Sequence, residues 1–222
     1  MPPPEPSSFG LPDGLLDRVL ALDTGARRRL VAIAGTPAGG KSTLAAALTD
    51  ALVAKGVRAA NVPMDGFHLD NRLLDERGLR ARKGAPETFD GAGFVALMRR
   101  LRTEEQVVYP VFDRGQDQAI AGAGLVPAEC PLVVVEGNYL LFNEAPWTAL
   151  TDIWDLSVWV ETSEATVLQR CVQRWLDHGF GPDAARARAE QNDLPNARRV
   201  IAGRLPADIV VPEPQRERAD VT

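Results

Sequence analysis

The sequence predicts an α/β protein built on a doubly wound parallel sheet with helices on both faces. Two observations carry this prediction. Short apolar segments of strand length alternate with segments in which apolar residues recur at helical spacing. The segment at residues 131–135 is apolar throughout, as expected of a strand that is covered on both faces.

Size and charge narrow the class of protein. The 222 residues fit one domain with an added element, and 45% of them are hydrophobic. A net charge of −5 argues against a nucleic-acid partner, since such proteins usually carry a strongly basic face. We expect no membrane partner, because no apolar segment approaches about 18 residues. No secretory signal is recognisable at the N-terminus, so the sequence predicts a cytoplasmic protein.

The ends of the chain differ from its middle. Residues 1–12 are rich in proline and serine and are predicted to be flexible, because they offer little apolar surface to bury. A single folded domain is predicted over residues 13–212. Residues 213–222 form a charged tail that is not expected to contribute to the fold.

Each element is predicted from its own pattern of apolar residues and its terminal signals. In the first half these are a helix that Asp13 can cap, a strand at 30–34, a helix from Lys41 that Gly56 ends, a strand at 58–64 and a helix at 91–103. In the second half they are strands at 107–112, 131–135 and 156–160, a helix that Ser163 caps, a polar helix at 183–193 and a strand at 207–211.

The clearest motif lies between the first strand and the helix from Lys41. Residues 35–42 read GTPAGGKS, which matches GxxxxGK[ST] in the strand, loop and helix context that this motif requires. Glycines let backbone amides turn toward phosphate oxygens, and the helix N-terminus adds about half a positive charge. A chance glycine-rich turn is the weaker alternative. The motif therefore predicts a P-loop NTPase fold that binds ATP through Gly35, Thr36, Pro37, Ala38, Gly39, Gly40, Lys41, Ser42 and Thr43.

Three side chains are expected to act on the phosphates and the metal ion. Lys41 should reach the β and γ phosphates, and the Ser42 hydroxyl should bind Mg²⁺. Glu136 follows the buried strand at 131–135, where an acidic residue at the carboxyl end of a strand can hold Mg²⁺ or its water. The alternative for Glu136 is a surface residue at a strand end.

Asp65 follows the second strand, where a carboxylate can face the nucleotide across the crevice at the strand ends. We predict that Asp65 is the base that accepts a proton from the acceptor hydroxyl. The alternative is a turn-capping aspartate, which is a common use of Asp-Gly. His68, three residues later, either contacts the acceptor or packs beside Phe67.

Two segments carry a family resemblance: MDGFHLDN at residues 64–71 and GLRARKGAPETFD at residues 78–90. With the P-loop, they make residues 30–211 similar to the P-loop kinases that include uridine kinase, type I pantothenate kinase and phosphoribulokinase. Within that group the sequence most resembles bacterial proteins described as fructokinase-like or nucleoside kinase-like. The resemblance implies a kinase fold with a helical lid, at about residues 163–195.

The resemblance also implies where the acceptor binds. Arg82 and Lys83 correspond to a segment near the acceptor site, and Tyr109 and Asp113 to a second such segment. The residues after Asp113 depart from the His and Arg pattern of uridine kinases, which weakens a nucleoside assignment.

Arg170 and Arg174 are four residues apart on the helix after Ser163, so they share a face of the lid. In the resembling kinases, lid arginines contact the transferring phosphate. The alternative is a solvated helix face. Near the end of the lid, the residue types at positions 192–196 are explained by a turn and a helix cap.

These observations predict a kinase that uses ATP and Mg²⁺ to phosphorylate a hydroxyl of a small molecule: a sugar, a nucleoside or a pantothenate-like alcohol. Two alternatives stay open. One is a nucleoside monophosphate kinase, and the other is a nucleotide-binding regulatory module that no longer transfers phosphate. A homodimer is compatible with the sequence.

Overall fold

A computed structural model describes residues 10–22, 25 and 27–213. The predicted flexible segment lies outside these residues except for positions 10–12, and the predicted tail lies outside them except for Glu213. Within this part of the chain, no helix has the length and apolar character needed to cross a bilayer.

The domain is organised around a five-stranded parallel sheet with the strand order β2-β5-β1-β6-β7. Its strands are β1 (Arg29–Gly35), β2 (Ala59–Pro63), β5 (Leu132–Gly137), β6 (Leu156–Val160) and β7 (Ile209–Val211). β1 lies in the centre of the sheet. β5 and β2 lie on one side of it, and β6 and β7 lie on the other. The carboxyl ends of β1, β5 and β2 therefore meet at one edge, where the strand order reverses.

Seven α-helices occur in the described part of the chain. They are α1 (Leu15–Leu20), α2 (Lys41–Ala54), α3 (Asn71–Glu76), α4 (Gly91–Thr103), α5 (Glu164–Asp177), α6 (Pro182–Arg188) and α7 (Leu194–Ala202). A π-helical turn (Ala189–Asp193) joins α6 to α7.

Alternate residues of the strands face two hydrophobic clusters on opposite sides of the sheet. Val31 and Ile33 of β1 pack with the apolar face of α2, while Ala32 and Ala34 pack with the cluster that contains α4. All four residues are fully buried. The predicted doubly wound α/β fold is therefore confirmed, because helices cover both faces of the sheet.

The segment predicted as a strand at 107–112 does not join the parallel sheet. As β3 (Val107–Asp113) it pairs in antiparallel fashion with β4 (Gln118–Val126), a strand that the sequence analysis did not predict. β4 is rich in glycine and alanine, and most of its residues are partly or fully exposed. Such a sequence lacks the apolar alternation on which strand prediction rests.

Two helix ends also differ from the prediction. Gly14, not Asp13, is the N-cap of α1, and no side chain caps that helix. Residues 192–196 are helical and form neither the predicted connecting turn nor a side-chain cap, because the chain passes from the π-helix directly into α7. Their polar side chains bind other elements and do not terminate a helix. Ser163 does cap α5, by accepting a hydrogen bond from the Thr166 amide.

Candidate active site

The predicted phosphate-binding loop connects β1 to α2 at the edge of the sheet where the strand order reverses. Ala38 and Gly40 both adopt positive φ values, 54° and 91°, which turn the backbone tightly before α2 begins at Lys41. No side chain caps this helix end, and its first amides have no partner within the helix. The loop thus presents a concave row of backbone donors that suits a phosphate chain.

Lys41 is buried at the first position of α2. Its Nζ atom donates a hydrogen bond of 2.7 Å to the carbonyl oxygen of Thr36, inside the same loop. Burial lowers the pKa of Lys41, and the negative charges of Glu136 and Asp65 oppose that shift. The ammonium group is therefore held among carboxylates at the mouth of the loop.

Ser42 and Glu136 meet where β5 ends beside α2. Ser42 and Glu136 both line the cleft, and the glutamate is only 7% exposed. Burial, reinforced by the charge of Asp65, raises the pKa of Glu136. A hydroxyl and a carboxylate are ligands that suit Mg²⁺, which in kinases takes its other ligands from phosphate and water. These residues fit the predicted metal ion.

Asp65 lies in a short 3₁₀ turn (Met64–Phe67) that directly follows β2. Two glycines allow this turn to approach its neighbours closely. A Cβ atom on Gly137 would lie 2.5 Å from the Met64 Cβ, and one on Gly66 would lie 2.1 Å from the Pro110 carbonyl oxygen. The turn is thereby packed between the end of β5 and the β3–β4 hairpin, with Asp65 on the same cleft as Lys41 and Glu136.

Arg114, which the sequence analysis did not select, reaches Asp65 from the turn between β3 and β4. Its Nη2 atom lies 3.1 Å from Asp65 Oδ2. The signal was present in the sequence, because Arg114 directly follows Asp113. It could not be interpreted without the hairpin that carries it to the cleft.

His68 both lines the cleft and packs against aromatic rings. Its Nδ1 lies 2.8 Å from the Asp65 carbonyl oxygen, and its ring lies 4.0 Å from the Phe89 ring and 4.7 Å from the Phe112 ring. Burial lowers the pKa of His68, which favours the neutral imidazole. His68 therefore packs against aromatic rings and also lines the cleft, so the two predicted possibilities do not exclude one another.

The basic loop, which we define as residues 79–85, presents Lys83 to the cleft. Lys83 Nζ donates to Asn71 Oδ1 and to the Asp117 carbonyl oxygen, both at 2.8 Å, and pairs with the Asp117 carboxylate. Arg82 is not among the residues that line the cleft. Its Nη2 atom donates instead to Asn196 Oδ1, at 3.2 Å.

The structure does not support the predicted acceptor contacts of Tyr109 and Asp113. Tyr109 is 9% exposed in the hydrophobic core, and its hydroxyl donates to the Asn61 carbonyl oxygen. Asp113 accepts hydrogen bonds from the backbone and the side chain of Gln116 within the hairpin turn. Neither residue lines the cleft. The segment reaches the cleft through Phe112 and Arg114, while the Asp113 carboxylate binds Gln116 in the hairpin turn.

Arg170 and Arg174 both extend from α5 toward the phosphate-binding loop. Arg170 Nη1 donates to the Ala38 carbonyl oxygen at 3.2 Å, and Arg174 Nη2 lies 2.9 Å from Asp193 Oδ1. Arg174 lines the cleft, whereas Arg170 contacts the loop from outside it. The two arginines share a helix face, as predicted from their spacing.

The cleft has a volume of about 780 Å³, at the upper end of the range for small-molecule sites. Several residues that line the cleft were not predicted from the sequence. They include Arg80, Phe112, Arg114, Asp117, Asn138, Trp175, Phe180, Arg188, Asp193 and Asn196. Most of them lie on loops and on α6, where sequence periodicity says little about which side chains converge.

A family profile, related sequences and a solved structure all relate this chain to P-loop kinases. The sequence profile of the Phosphoribulokinase / Uridine kinase family matches residues 30–212. The uncharacterized protein YggC of Escherichia coli (strain K12) is 34% identical over 202 residues, which cover 89% of this chain and 84% of YggC. A proposed uridine kinase of Schizosaccharomyces pombe (strain 972 / ATCC 24843) is 31% identical over 218 residues, 94% of this chain and 92% of that protein.

A solved structure is more similar still. It is described as a proposed fructose transport system kinase from Silicibacter sp. TM1040, with 55% sequence identity and a TM-score of 0.85 over 90% of this chain and 96% of that one. The family profile spans the phosphate-binding loop, both carboxylates and the helical segment that carries the arginines. The chain belongs to the phosphoribulokinase/uridine kinase family, and it is a P-loop kinase of small-molecule substrates.

Proposed function

We propose that this protein transfers the γ-phosphate of ATP to a hydroxyl group of a small alcohol. One observation carries the proposal: Lys41, Glu136 and Asp65 open onto the same cleft, at the meeting point of three parallel strand ends. A cation, a candidate metal ligand and a candidate base are the groups that phosphoryl transfer to a hydroxyl requires.

Asp65 is assigned the role of base. It takes the proton of the acceptor hydroxyl as that oxygen bonds to the γ-phosphorus and the bond to the ADP oxygen breaks. The 3.1 Å contact with Arg114 orients the carboxylate. The 3₁₀ turn at Met64–Phe67, which Gly66 and Gly137 allow to pack closely against its neighbours, holds the carboxylate at the strand ends. A base in this position contributes about 10² to 10⁴ in rate.

The phosphate side is assigned to the loop, to Lys41 and to the two arginines. Lys41 and the amides of the loop bind the phosphates, and Arg174 faces the charge that develops on the transferred group. Ser42 and Glu136 would hold Mg²⁺, which would neutralise phosphate charge when it is bound. Arg170 fixes α5 against the loop through the Ala38 carbonyl.

The acceptor side is assigned to the aromatic and basic residues beyond Asp65. His68 and Phe112 form an apolar floor, and Lys83 lies 5.1 Å from the centre of the Phe112 ring. A cleft of about 780 Å³ accommodates a nucleotide together with a small acceptor. Sugars and nucleosides are the first acceptors to test, because the relatives described above are named for fructose transport and for uridine.

The test is a screen for acceptor-dependent release of ADP from Mg²⁺ and ATP. The panel contains fructose and other sugars, uridine and other nucleosides, pantothenate, and nucleoside monophosphates as a separate arm. We expect one alcohol to stimulate ADP release in the wild-type protein and none to do so in the Asp65→Asn variant. Stimulation only by monophosphates would favour a nucleotide kinase, and ATP binding without turnover on any acceptor would favour a regulatory module.

A further inference from the structure

Three polar side chains are buried where the π-helical turn passes into α7. Asn192, Asp193 and Asn196 are 3%, 6% and 2% exposed. Polar groups at this depth persist only when they are hydrogen-bonded, so their partners indicate what the segment is for. Their hydrogen-bond partners lie in the basic loop and in α5, and both of these elements have roles in the proposed function.

On one side the cluster binds the basic loop. Asn192 Nδ2 donates to the Lys83 carbonyl oxygen at 2.9 Å, and Asn196 Oδ1 accepts from Arg82 Nη2 at 3.2 Å. The two asparagines also contact each other, through Asn196 Nδ2 and Asn192 Oδ1 at 3.4 Å. Asn192 therefore holds the backbone of Lys83, while Asn71 and Asp117 hold its ammonium group.

On the other side the cluster binds α5. Asp193 Oδ1 lies 2.9 Å from Arg174 Nη2, and Asp193 Oδ2 accepts a 2.6 Å hydrogen bond from Trp175 Nε1. Both oxygens of the carboxylate are therefore engaged by consecutive residues of the helix that faces the phosphate-binding loop. Arg174 is close enough to that loop for its charge to act on Lys41.

Asn192 and Asp193 are neighbours within the π-helical turn. Neighbouring residues of a helix point in different directions, and the wider turn shifts the register between α6 and α7. Asn192 thus faces the basic loop while Asp193 faces α5. Turns of this kind often occur at functional sites.

We propose that Asn192 and Asp193 are positioning residues, which clamp Lys83 on the acceptor side and Arg174 on the phosphate side into one unit. The inference rests on the proposed function, because it concerns how the two halves of that site are held together. Neither residue needs to touch a reacting atom. The consequence is that a nucleotide bound against Arg174 should also stabilise the basic loop.

Hydrogen exchange measures this coupling without an identified acceptor. The probe is Mg²⁺ with AMP-PNP, a non-hydrolysable analogue of ATP. In the wild-type protein we expect AMP-PNP to slow amide exchange in residues 79–85 by about fivefold or more, the lower end of usual coupling between sites. In Asn192→Ala we expect this slowing to be lost, while the Kd for AMP-PNP changes by less than about twofold.

Two further variants separate coupling from loss of structure. Gln191→Ala changes an exposed neighbour on the same turn and should keep the wild-type response. Arg82→Ala removes the hydrogen bond that the loop donates to Asn196, which in turn contacts Asn192. The arginine side chain is 37% exposed, so this variant should fold even if Asn192→Ala does not. The ratio of exchange rates with and without AMP-PNP is compared within each variant, which cancels changes in intrinsic rate. We expect a reduced ratio in Arg82→Ala.

The outcomes that overturn the inference differ from those that overturn the proposed function. If AMP-PNP binds but leaves exchange in residues 79–85 unchanged, or if both clamp variants respond like the wild type, Asn192 and Asp193 do not couple the two sides. The proposed kinase activity would survive that result. Failure of AMP-PNP to bind the folded wild-type protein would overturn both.

Discussion

The Arg114 guanidinium faces the Asp65 carboxylate at 3.1 Å, across the gap between the β3–β4 hairpin and the end of β2. The two side chains are 60% and 29% exposed, so solvent screens their attraction and the pair contributes little to stability. Its effect is geometric. The pair links the carboxylate at the strand end to the hairpin, which also packs against the same 3₁₀ turn.

Replacing Asp65 by asparagine should lower the rate of phosphoryl transfer by about 10² to 10⁴ while nucleotide affinity stays near the wild-type value. The amide keeps the size of the side chain but cannot accept the proton. Steady-state kinetics and calorimetry with AMP-PNP measure the two effects separately. Asp50→Asn removes the same charge from an exposed position of α2 and should behave as the wild type. An unchanged rate in Asp65→Asn would reject the assigned base.

Replacing Arg114 by glutamine should reduce kcat by about tenfold to a hundredfold, because the carboxylate loses the group that orients it. The free energy of unfolding should change by less than about 1 kcal/mol, as is usual for an exposed ion pair. The control is Arg72→Gln, which disrupts another exposed ion pair, with Asp70. Equal rates in both variants would show that the Asp65 contact has no role in turnover.

The sequence predicted the phosphate side of the site better than the acceptor side, for a physical reason. Lys41 and Glu136 lie at the ends of a strand–loop–helix unit and a buried strand, so local pattern alone locates them. Lys83 was selected only through the family resemblance, and Arg114 was not selected at all. The positions of the basic loop and of the hairpin come from contacts between segments far apart in the chain. Asn192 and Asp193 were misread as a turn because polar residues in a helix look exposed until their buried partners are known.

The affinity for Mg²⁺ in the presence of nucleotide should rise with pH in a range where an exposed glutamate is already ionised. Burial raises the pKa of Glu136, and only the ionised carboxylate binds the metal, so affinity falls as pH drops toward that raised value. The unliganded fold responds with the opposite sign. The folded state binds this proton more tightly than the unfolded state, so the Glu136 contribution to stability decreases as pH rises through the same range.

Titration of Mg²⁺ from pH 5 to pH 8 with AMP-PNP present tests this prediction for Glu136. Glu136→Gln should bind the metal more weakly and lose the part of the pH dependence that exceeds the titration of the terminal phosphate of AMP-PNP. Glu161→Gln is the matched control, because Glu161 follows the end of β6 but is exposed, and it should keep the wild-type profile. A profile in Glu136→Gln that parallels the wild type would assign the titration to another group.

Replacing Arg28 should destabilise the fold without altering the cleft. Arg28 is 8% exposed directly before β1, at the end of the sheet opposite the site, and all three nitrogens of its guanidinium donate to main-chain carbonyls. Its acceptors are the carbonyl oxygens of Leu101, Glu104, Glu105, Pro127 and Cys130. One side chain thus joins the start of β1 to the end of α4 and to the segment that precedes β5.

Arg28→Ala leaves several of these carbonyls without a donor, so we expect the free energy of unfolding to fall by about 3 kcal/mol or more. Arg28→Lys should recover only part of this loss, because an ammonium cannot reproduce the planar fork of donors. Urea unfolding measures both, with Arg27→Ala as the control: its side chain is 59% exposed and its 3.7 Å contact with Asp155 should contribute less than about 1 kcal/mol. The folded Arg28→Lys protein should bind AMP-PNP as tightly as the wild type, since the affected carbonyls lie at the far end of the sheet. A drop in affinity matching the drop in stability would mean that the two ends of the sheet are not independent.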